Sequence, residues 1–320
     1  MKKCALYTFL ALAFISTSVM AELLKDRSLE IDGTKRTYDI FTPNKNLKNL
    51  SPLVILLHGH FGDADTMTGE NGKKAPYKLW VDIADREGWH LVIPEGEFGP
   101  DGKRGWNDCR ANNTINPKTN DVKFINALVE KLAKKYPIDK KRVYVHGTSN
   151  GGIMAYRLAQ ESGDKYRAIA AVVASMPEKN KCEHLRVPVS VLIMNGTEDP
   201  LVPYEGGGIG RRKALHGERG SVLSTIDSMD YWVRNNNIKV KPIVRQIPDI
   251  EKSDKSTIYV EQYLNQKNNT EVILYEVRGG GHTEPSLSEH YRRLYKLIVG
   301  RQNRDIEMAE EVWRFFDRNR

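Results

Sequence analysis

The sequence predicts an α/β protein with a mostly parallel central sheet and helices on both faces. Strand-like and helix-like segments alternate along the chain from residue 28 to residue 316. Several strand-like segments, such as 53–57, are continuous apolar runs, which are typical of strands buried on both faces. The chain has 320 residues, of which 40% are hydrophobic, so it can bury a large core. We therefore expect residues 22–320 to form one domain.

Each element is predicted from its own pattern. Residues 28–42 are rich in β-formers around Asp32-Gly33, which indicates an edge hairpin. Asn120 is a favourable helix cap, and Gly88 is a favourable helix stop. Residues 98–118 contain Gly, Pro, Asn and Asp throughout and predict a long loop, and such loops are often functional. The other expected strands are 53–57, 90–93, 142–146, 168–174, 187–194, 257–264 and 271–277. The expected helices are 79–87, 120–136, 151–160, 222–235 and 306–316.

The first 21 residues have the pattern of a secretory signal peptide. Two lysines precede an apolar run from Cys4 to Ile15, and the segment ends with small residues at Ala21. The alternative is a membrane anchor, but this run is shorter than the ~20 apolar residues that a helix needs to span a bilayer. We therefore expect cleavage after Ala21 and a secreted protein, periplasmic or extracellular, without stable membrane insertion after cleavage.

Charge and cysteine content exclude several classes of protein. The net charge is +8, from 49 basic and 41 acidic residues that are dispersed along the chain, with no zinc-finger or RNA-binding signature. We therefore expect no nucleic-acid partner. Three cysteines are too few for a disulfide scaffold. Cleavage of the leader leaves Cys109 and Cys182, which predict one disulfide in an oxidising compartment unless they are unrelated thiols.

The strongest chemical signal is the sequence Gly-Thr-Ser-Asn-Gly at residues 147–151. It follows the predicted strand 142–146 directly and precedes a predicted helix, which is the setting of a nucleophile elbow. Ser149 would then stand above the carboxyl end of the sheet. The alternative interpretation is a structural glycine-rich turn between a strand and a helix.

A serine nucleophile needs a base, and in proteins with this elbow the chain order is serine, acid, histidine. Asp199 follows the predicted strand 187–194, and Glu198 is its neighbouring competitor. His282 follows the predicted strand 271–277 and three glycines that allow a sharp turn. The sequence therefore predicts a triad of Ser149, Asp199 and His282.

Acyl transfer also needs donors for the developing oxyanion. The segment His58-Gly59-His60 follows the predicted strand 53–57, where a backbone N–H is expected to contribute, and the second comes from the residue after the nucleophile. We assign the backbone amides of His60 and Asn150, although His58-Gly59 alone could simply close a strand. No metal or cofactor is expected, because the sequence lacks the zinc-site and phosphate-loop motifs.

Taken together, the motifs resemble the secreted polyhydroxybutyrate depolymerase-type serine esterases, which are related to feruloyl and acetylxylan esterases. The matching segments run in family order: 57–59, 105–108, 139–145, 147–156, 195–204, 279–283 and 312–316. The resemblance implies an α/β-hydrolase fold, with Ser149 as nucleophile, Asp199 as acid and His282 as base.

The chain departs from the family pattern after the catalytic His-Thr pair. Glu284 stands where relatives often have an aromatic residue, and the basic segment 286–304 is long. In the loop 98–118, Trp106 is the candidate substrate contact, and the alternative is a buried core tryptophan. A Cys109–Cys182 disulfide would tie this loop to the segment after strand 168–174.

The leading hypothesis is a secreted serine carboxylic-ester hydrolase that acts through an acyl-enzyme, with a hydroxyalkanoate oligomer as substrate. Three alternatives remain. The first is a feruloyl or acetylxylan esterase, acting on feruloyl or acetyl esters of plant polysaccharides. The second is an acyltransferase on the same triad, and the third is a non-catalytic binding protein on a decayed hydrolase fold.

Overall fold

The computed structural model describes residues 21–44, 49–72, 75–182, 185–210 and 218–320. The signal peptide expected over residues 1–21 lies outside this range, apart from its last residue. Within the described ranges, no helix combines the length and the apolar character that crossing a bilayer requires.

The strands are β1 (Glu22–Ile31), β2 (Thr34–Thr42), β3 (Ser51–Leu57), β4 (His90–Pro94), β5 (Glu97–Phe98), β6 (Arg104–Gly105), β7 (Ile138–Thr148), β8 (Ala168–Val172), β9 (Ser190–Gly196), β10 (Gly207–Gly208), β11 (Ser221–Val222), β12 (Ile243–Gln246), β13 (Thr257–Asn265) and β14 (Thr270–Arg278). The α-helices are α1 (Ala64–Thr68), α2 (Trp80–Glu87), α3 (Asp121–Lys135), α4 (Asn150–Ser162), α5 (Thr225–Asn235), α6 (Arg293–Val299) and α7 (Met308–Arg318). Short 3₁₀ turns lie at Pro76–Leu79, Gly163–Lys165 and Lys252–Asp254.

Within the described residues, ten strands form one sheet in the order β1-β2-β4-β3-β7-β8-β9-β14-β13-β12. The six strands from β4 to β14 in this order are mutually parallel. Antiparallel strands extend the sheet at both edges, including the predicted hairpin of β1 and β2. The prediction of a mostly parallel α/β sheet is confirmed. Because β3, β7, β9 and β14 run in parallel, the loops that follow them meet at one edge of the sheet.

Helices cover both faces of the sheet. The apolar sides of α3, α4 and α5 join the core on one face, and those of α1, α2 and α7 join the core on the other. Every residue of β3 is buried, as its continuous apolar run predicts. On α7, Val312, Phe315 and Phe316 follow helical spacing and are fully buried. Each such side chain contributes about 1.5–3 kcal/mol by leaving water.

Several elements were not predicted. All four residues of β12 are exposed, and it pairs only with β13, so its sequence carries no burial pattern. Helix α6 has seven residues, and most of its apolar side chains face outward, so its pattern does not point to the core. Helix α5 begins at Thr225 rather than at 222, because the Ser224 side chain caps it by accepting from the Asp227 amide.

The predicted disulfide between Cys109 and Cys182 is present and links residues 73 positions apart. A crosslink over a loop of this length stabilises a protein by about 2–4 kcal/mol, chiefly by constraining the unfolded chain. We expect the double variant Cys109→Ser/Cys182→Ser to melt about 5 °C below the wild type in a calorimetric scan. A reductant should lower the melting temperature of the wild type but not that of the variant. Equal melting temperatures for the two proteins would contradict the prediction.

Candidate active site

Ser149 lies at the turn between β7 and α4. Its backbone has φ 53° and ψ −120°, in a region that is costly for a residue with a side chain. The flanking glycines make this turn possible. A Cβ atom on Gly147 would overlap the carbonyl oxygen of Gly151, and one on Gly151 would overlap the carbonyl oxygen of Leu57. The turn therefore holds the serine hydroxyl at the end of the sheet, as the motif predicts.

The three residues predicted as a triad lie in one hydrogen-bonded row. His282 Nε2 is 3.0 Å from Ser149 Oγ, and His282 Nδ1 is 2.7 Å from Asp199 Oδ2. The other carboxylate oxygen of Asp199 accepts hydrogen bonds from the backbone amides of Leu201 and Val202, at 2.7 and 2.8 Å. With its proton on Nδ1, the imidazole donates to Asp199 and leaves Nε2 free to accept from the serine hydroxyl.

The loop that carries His282 is fixed by the last residue of α6 and the segment that follows it. The Gly281 amide donates to the carbonyl of Arg301 at 2.8 Å, and the His282 amide donates to the carbonyl of Val299 at 2.6 Å. A Cβ atom on Gly281 would overlap the Val299 carbonyl oxygen, so this close approach requires glycine. The long segment after His282 therefore positions the imidazole.

Two carboxylates act on the imidazole of His282. Burial lowers the pKa of His282, but the adjacent Asp199 carboxylate and the more distant Glu284 carboxylate raise it by more. The net result is a pKa above the ordinary value of 6.5. An imidazole in this position can take up and hold a proton near neutral pH.

Glu198, the competitor of Asp199, is directed away from this row. Its side chain is 58% exposed and forms an ion pair with Arg301 at 2.7 Å. Asp199 is buried and bonded to the imidazole. The geometry thus agrees with the choice of Asp199 over Glu198 that the sequence favoured.

The residues predicted to provide the oxyanion hole lie beside Ser149. His60 and Asn150 both line the cavity onto which Ser149 opens. Asn150 is the first residue of α4, where backbone amides have no partner within the helix. Gly59 lies against the nucleophile, and a Cβ atom there would be 3.3 Å from the Ser149 Cβ.

The two histidines of this loop are held in place by different partners. His58 is fully buried; Nε2 accepts from the Gly96 amide at 2.9 Å, and Nδ1 is 2.8 Å from the Gly59 carbonyl oxygen. Burial lowers the pKa of His58 to about 4, so its ring is neutral. The His60 side chain lies 2.8 Å from the Asp101 carboxylate through Nε2. Both contacts fix the loop that follows β3.

The expectation that Trp106 contacts substrate is wrong for this structure. The indole is fully buried and does not line the cavity. Its Nε1 donates to the His58 carbonyl at 2.8 Å, and its backbone N–H donates to Asn150 Oδ1 at 2.7 Å. The Asn150 side chain also donates to Asp108 at 2.6 Å. Trp106 is thus a buried core residue, which was the alternative interpretation, and its hydrogen bonds connect the loops around Ser149.

The cavity at Ser149 has a volume of about 890 Å³. Apolar side chains provide much of its wall: Ala75, Ile115, Ile153, Leu201, Val202, Ile209, Ile298 and Val299. Three tyrosines and three arginines also line it, none of which was predicted from the sequence: Tyr77, Tyr291, Tyr295, Arg110, Arg219 and Arg292. Tyr291 precedes α6 and Tyr295 lies within it, with ring centroids 5.1 Å apart. Both belong to the departing segment 286–304, and that departure from the family pattern was the available signal.

Glu284 connects that segment to the nucleophile strand. Its buried carboxylate accepts hydrogen bonds from the Thr148 hydroxyl and, at 2.5 Å, from the Tyr291 hydroxyl. Burial and the Glu284 charge raise the pKa of Tyr291 well above 10, so this phenol remains a donor. Glu284, at which this chain departs from the family pattern, thus bonds both to Thr148 beside Ser149 and to Tyr291 in the cavity wall.

Among the described residues, one group of side chains has the spacing of metal ligands: Cys109, Glu161 and Cys182. The two sulfur atoms of this group form the disulfide.

Comparison with known proteins gives partial matches in sequence. A model of the prolyl oligopeptidase family matches residues 99–181, which include the elbow. A putative esterase from Nocardia uniformis is 28% identical over 268 residues, covering 81% of this chain and 72% of the relative. A feruloyl esterase B from Piromyces equi is 26% identical, covering 73% of this chain and 40% of the relative. A bifunctional acetylxylan esterase/xylanase from Neocallimastix patriciarum is 28% identical, covering 54% of this chain and 23% of the relative.

Comparison of structures supports the fold. The acetyl xylan esterase of Aspergillus awamori aligns over 82% of this chain and 94% of its own, with a TM-score of 0.52 and 13% identity. The predicted fold class is confirmed, since the mostly parallel sheet and the structural neighbours agree. This chain is an enzyme with the α/β-hydrolase fold, and it is homologous to proteins named as esterases.

Proposed function

We propose that the protein is a serine carboxylic-ester hydrolase in which Ser149 is the nucleophile, His282 the base and Asp199 the acid. The observation that carries the proposal is the continuous hydrogen-bonded row from Asp199 through His282 to Ser149, which opens onto a large cavity. This arrangement lets one proton move between oxygen and nitrogen as the serine attacks, which is the chemistry of acyl transfer.

In the proposed first half-reaction, Ser149 Oγ attacks the ester carbonyl carbon and His282 Nε2 takes the hydroxyl proton. The negative oxygen of the tetrahedral intermediate accepts hydrogen bonds from the amides of His60 and Asn150. The intermediate collapses, and the leaving alcohol takes the proton from His282. An acyl group then remains on Ser149. Water, deprotonated by His282, attacks the acyl carbon. The bond to Ser149 Oγ then breaks and His282 returns the proton to that oxygen, which releases the acid and the free serine.

The proposed substrate is a short hydroxyalkanoate ester, as in the depolymerase-type esterases that the motifs resemble. The apolar wall formed by Ile153, Leu201 and Val202 suits a short aliphatic acyl group. The second candidate is a feruloyl or acetyl ester of a plant polysaccharide, since several relatives carry those names. Because Trp106 is buried, stacking on a feruloyl ring would fall to the cavity tyrosines Tyr77, Tyr291 and Tyr295.

A hydrolysis panel tests this function. The purified protein is given hydroxybutyrate dimers and trimers, methyl ferulate, acetylated xylan and short p-nitrophenyl esters, each with and without an acceptor alcohol. We expect turnover of the hydroxybutyrate oligomers and short p-nitrophenyl esters. Faster turnover of methyl ferulate or acetylated xylan would favour the second candidate, and predominant ester exchange with the alcohol would indicate an acyltransferase. Failure of a fluorophosphonate probe to label Ser149 would support a non-catalytic binding protein.

The pH dependence of this activity follows from the charges around His282. The proposed base must be neutral, and its pKa lies above 6.5, so kcat/KM for a neutral ester should fall as the pH drops through that higher value. In Glu284→Gln, one source of negative charge is removed, so the acidic limb should move to lower pH. Full pH–rate profiles of both proteins check this. An acidic limb that stays in place would show that Glu284 does not influence the base.

We also propose that residues 1–21 are a cleaved leader and that residues 22–320 act as one secreted catalytic domain. The disulfide supports export to an oxidising compartment. The single catalytic domain is supported by the central sheet, which takes strands from both halves of the described chain. The N-terminal sequence of the exported protein tests the proposed cleavage after Ala21. Recovery of uncleaved protein in the membrane fraction would instead support an anchor.

A further inference from the structure

Helix α6 exposes an unusual number of apolar side chains beside the mouth of the cavity. Leu294, Leu297 and Ile298 are 77%, 71% and 61% exposed. They follow i, i+3, i+4 spacing and therefore form one stripe along the helix. Large apolar side chains on neighbouring positions of a surface helix indicate a face that contacts something other than water.

The stripe is continuous with the proposed active site. Tyr295 and Val299 lie on the adjacent side of α6 and line the cavity, as does Ile298 of the stripe itself. Phe61, from the loop after β3, also lines the cavity and is 55% exposed. An apolar phase resting on the stripe would therefore meet the cavity entrance directly.

Cations flank the stripe. Arg293 and Lys296 follow the helix edge opposite Tyr295, and Arg292 precedes the helix beside the cavity that it lines. Within the part of the chain that the structure describes, no carboxylate forms an ion pair with any of the three. Cations at a helix N-terminus oppose the helix dipole, so Arg292 and Arg293 do not serve the stability of α6.

We propose that α6 is a docking surface for an anionic lipid interface. The apolar stripe would enter the boundary between headgroups and acyl chains, and the three cations would contact the negative headgroups. A second copy of this chain fits less well, because a symmetric contact would bring the same cations together without partners. The binding requires no catalytic step, so it goes beyond the proposed hydrolysis and stands independently of it.

The test measures how much protein sediments with two kinds of vesicle. One is phosphatidylcholine with roughly 30% phosphatidylglycerol, which gives a strongly anionic surface, and the other is pure phosphatidylcholine. We expect the wild type to bind the anionic vesicles at least about tenfold more tightly and to be released by salt. Leu294→Ser/Leu297→Ser should weaken binding at least about tenfold, because the stripe no longer buries apolar area. Arg293→Gln/Lys296→Gln should weaken binding to the anionic vesicles by more than about tenfold, because each lost cation should cost about fivefold in affinity.

The matched control is Val240→Ser/Val244→Ser, which removes apolar side chains that are 59% and 61% exposed elsewhere on the surface. It should bind like the wild type. All variants should keep the wild-type rate on dissolved p-nitrophenyl acetate, which shows that they are folded. The proposal is overturned if the wild type does not bind the anionic vesicles, or if it binds both vesicle types equally. It is also overturned if the stripe and cation variants bind like the wild type. A concentration-dependent dimer that the leucine variant abolishes would overturn it as well.

Catalysis and docking are separable in this design. If the wild type binds vesicles as expected but hydrolyses no dissolved ester, the proposed hydrolase function fails and the docking surface stands. If it hydrolyses dissolved esters but does not bind anionic vesicles, only the docking proposal fails.

Discussion

Ser149→Ala should lose ester hydrolysis by at least about 10⁴-fold in kcat, with little change in the melting temperature. The variant lacks the only atom that can form the proposed acyl-enzyme, while the aligned His282 and Asp199 remain. A 10⁴-fold loss corresponds to about 5.5 kcal/mol in the activation barrier. The measurement is initial rates on a p-nitrophenyl ester, together with thermal unfolding of both proteins.

The residual rate of this variant is also informative. Donors beside the cavity should still polarise an ester and leave a rate above that of water. Alanine meets the same backbone cost as serine at φ 53°, so the fold should not relax at this turn. A variant with wild-type activity would remove Ser149 from the mechanism.

Asp199→Asn is expected to reduce kcat about 10³–10⁴-fold through the tautomer of His282. The amides of Leu201 and Val202 donate to one side of this residue and will hold the amide oxygen of asparagine there. The NH₂ group must then face the imidazole and donate to Nδ1. The imidazole proton moves to Nε2, which can no longer accept the proton of Ser149.

Glu198→Gln is the matched control for this prediction, since it makes the same chemical change one residue away. Its exposed ion pair with Arg301 contributes little, so activity should stay within about twofold of the wild type. Steady-state kinetics on one ester compare the two variants. A greater loss in Glu198→Gln than in Asp199→Asn would reverse the assignment of the acid.

The proximity of Ser149, Asp199 and His282 could be predicted because each follows a buried strand within a local motif. Parallel strands carry their following loops to one edge of the sheet, so Ser149, Asp199 and His282 meet there although they are far apart in sequence. The motif favoured Asp199 over its neighbour Glu198, and the structure adds the different directions of the two side chains.

Features that depend on packing between loops could not be predicted in the same way. The Trp106 indole packs in the core and donates to the His58 carbonyl, while the Asn150 side chain bonds the tryptophan backbone, so partners on other elements fix its position. Helix α6 was missed because its outward stripe gives no sign of a core-facing side. In both cases the local pattern is compatible with two environments, and only the tertiary contacts decide between them.

The attachment of the His282 loop to the segment after α6 has a consequence for engineering. The amides of Gly281 and His282 donate to carbonyls of Arg301 and Val299. A designer who shortened residues 286–304 would delete partners of the loop that carries the imidazole. Because His282 is the proposed base, we expect such a truncation to reduce activity even if the shortened protein folds, so redesign of the cavity entrance should use side-chain substitutions within a segment of unchanged length.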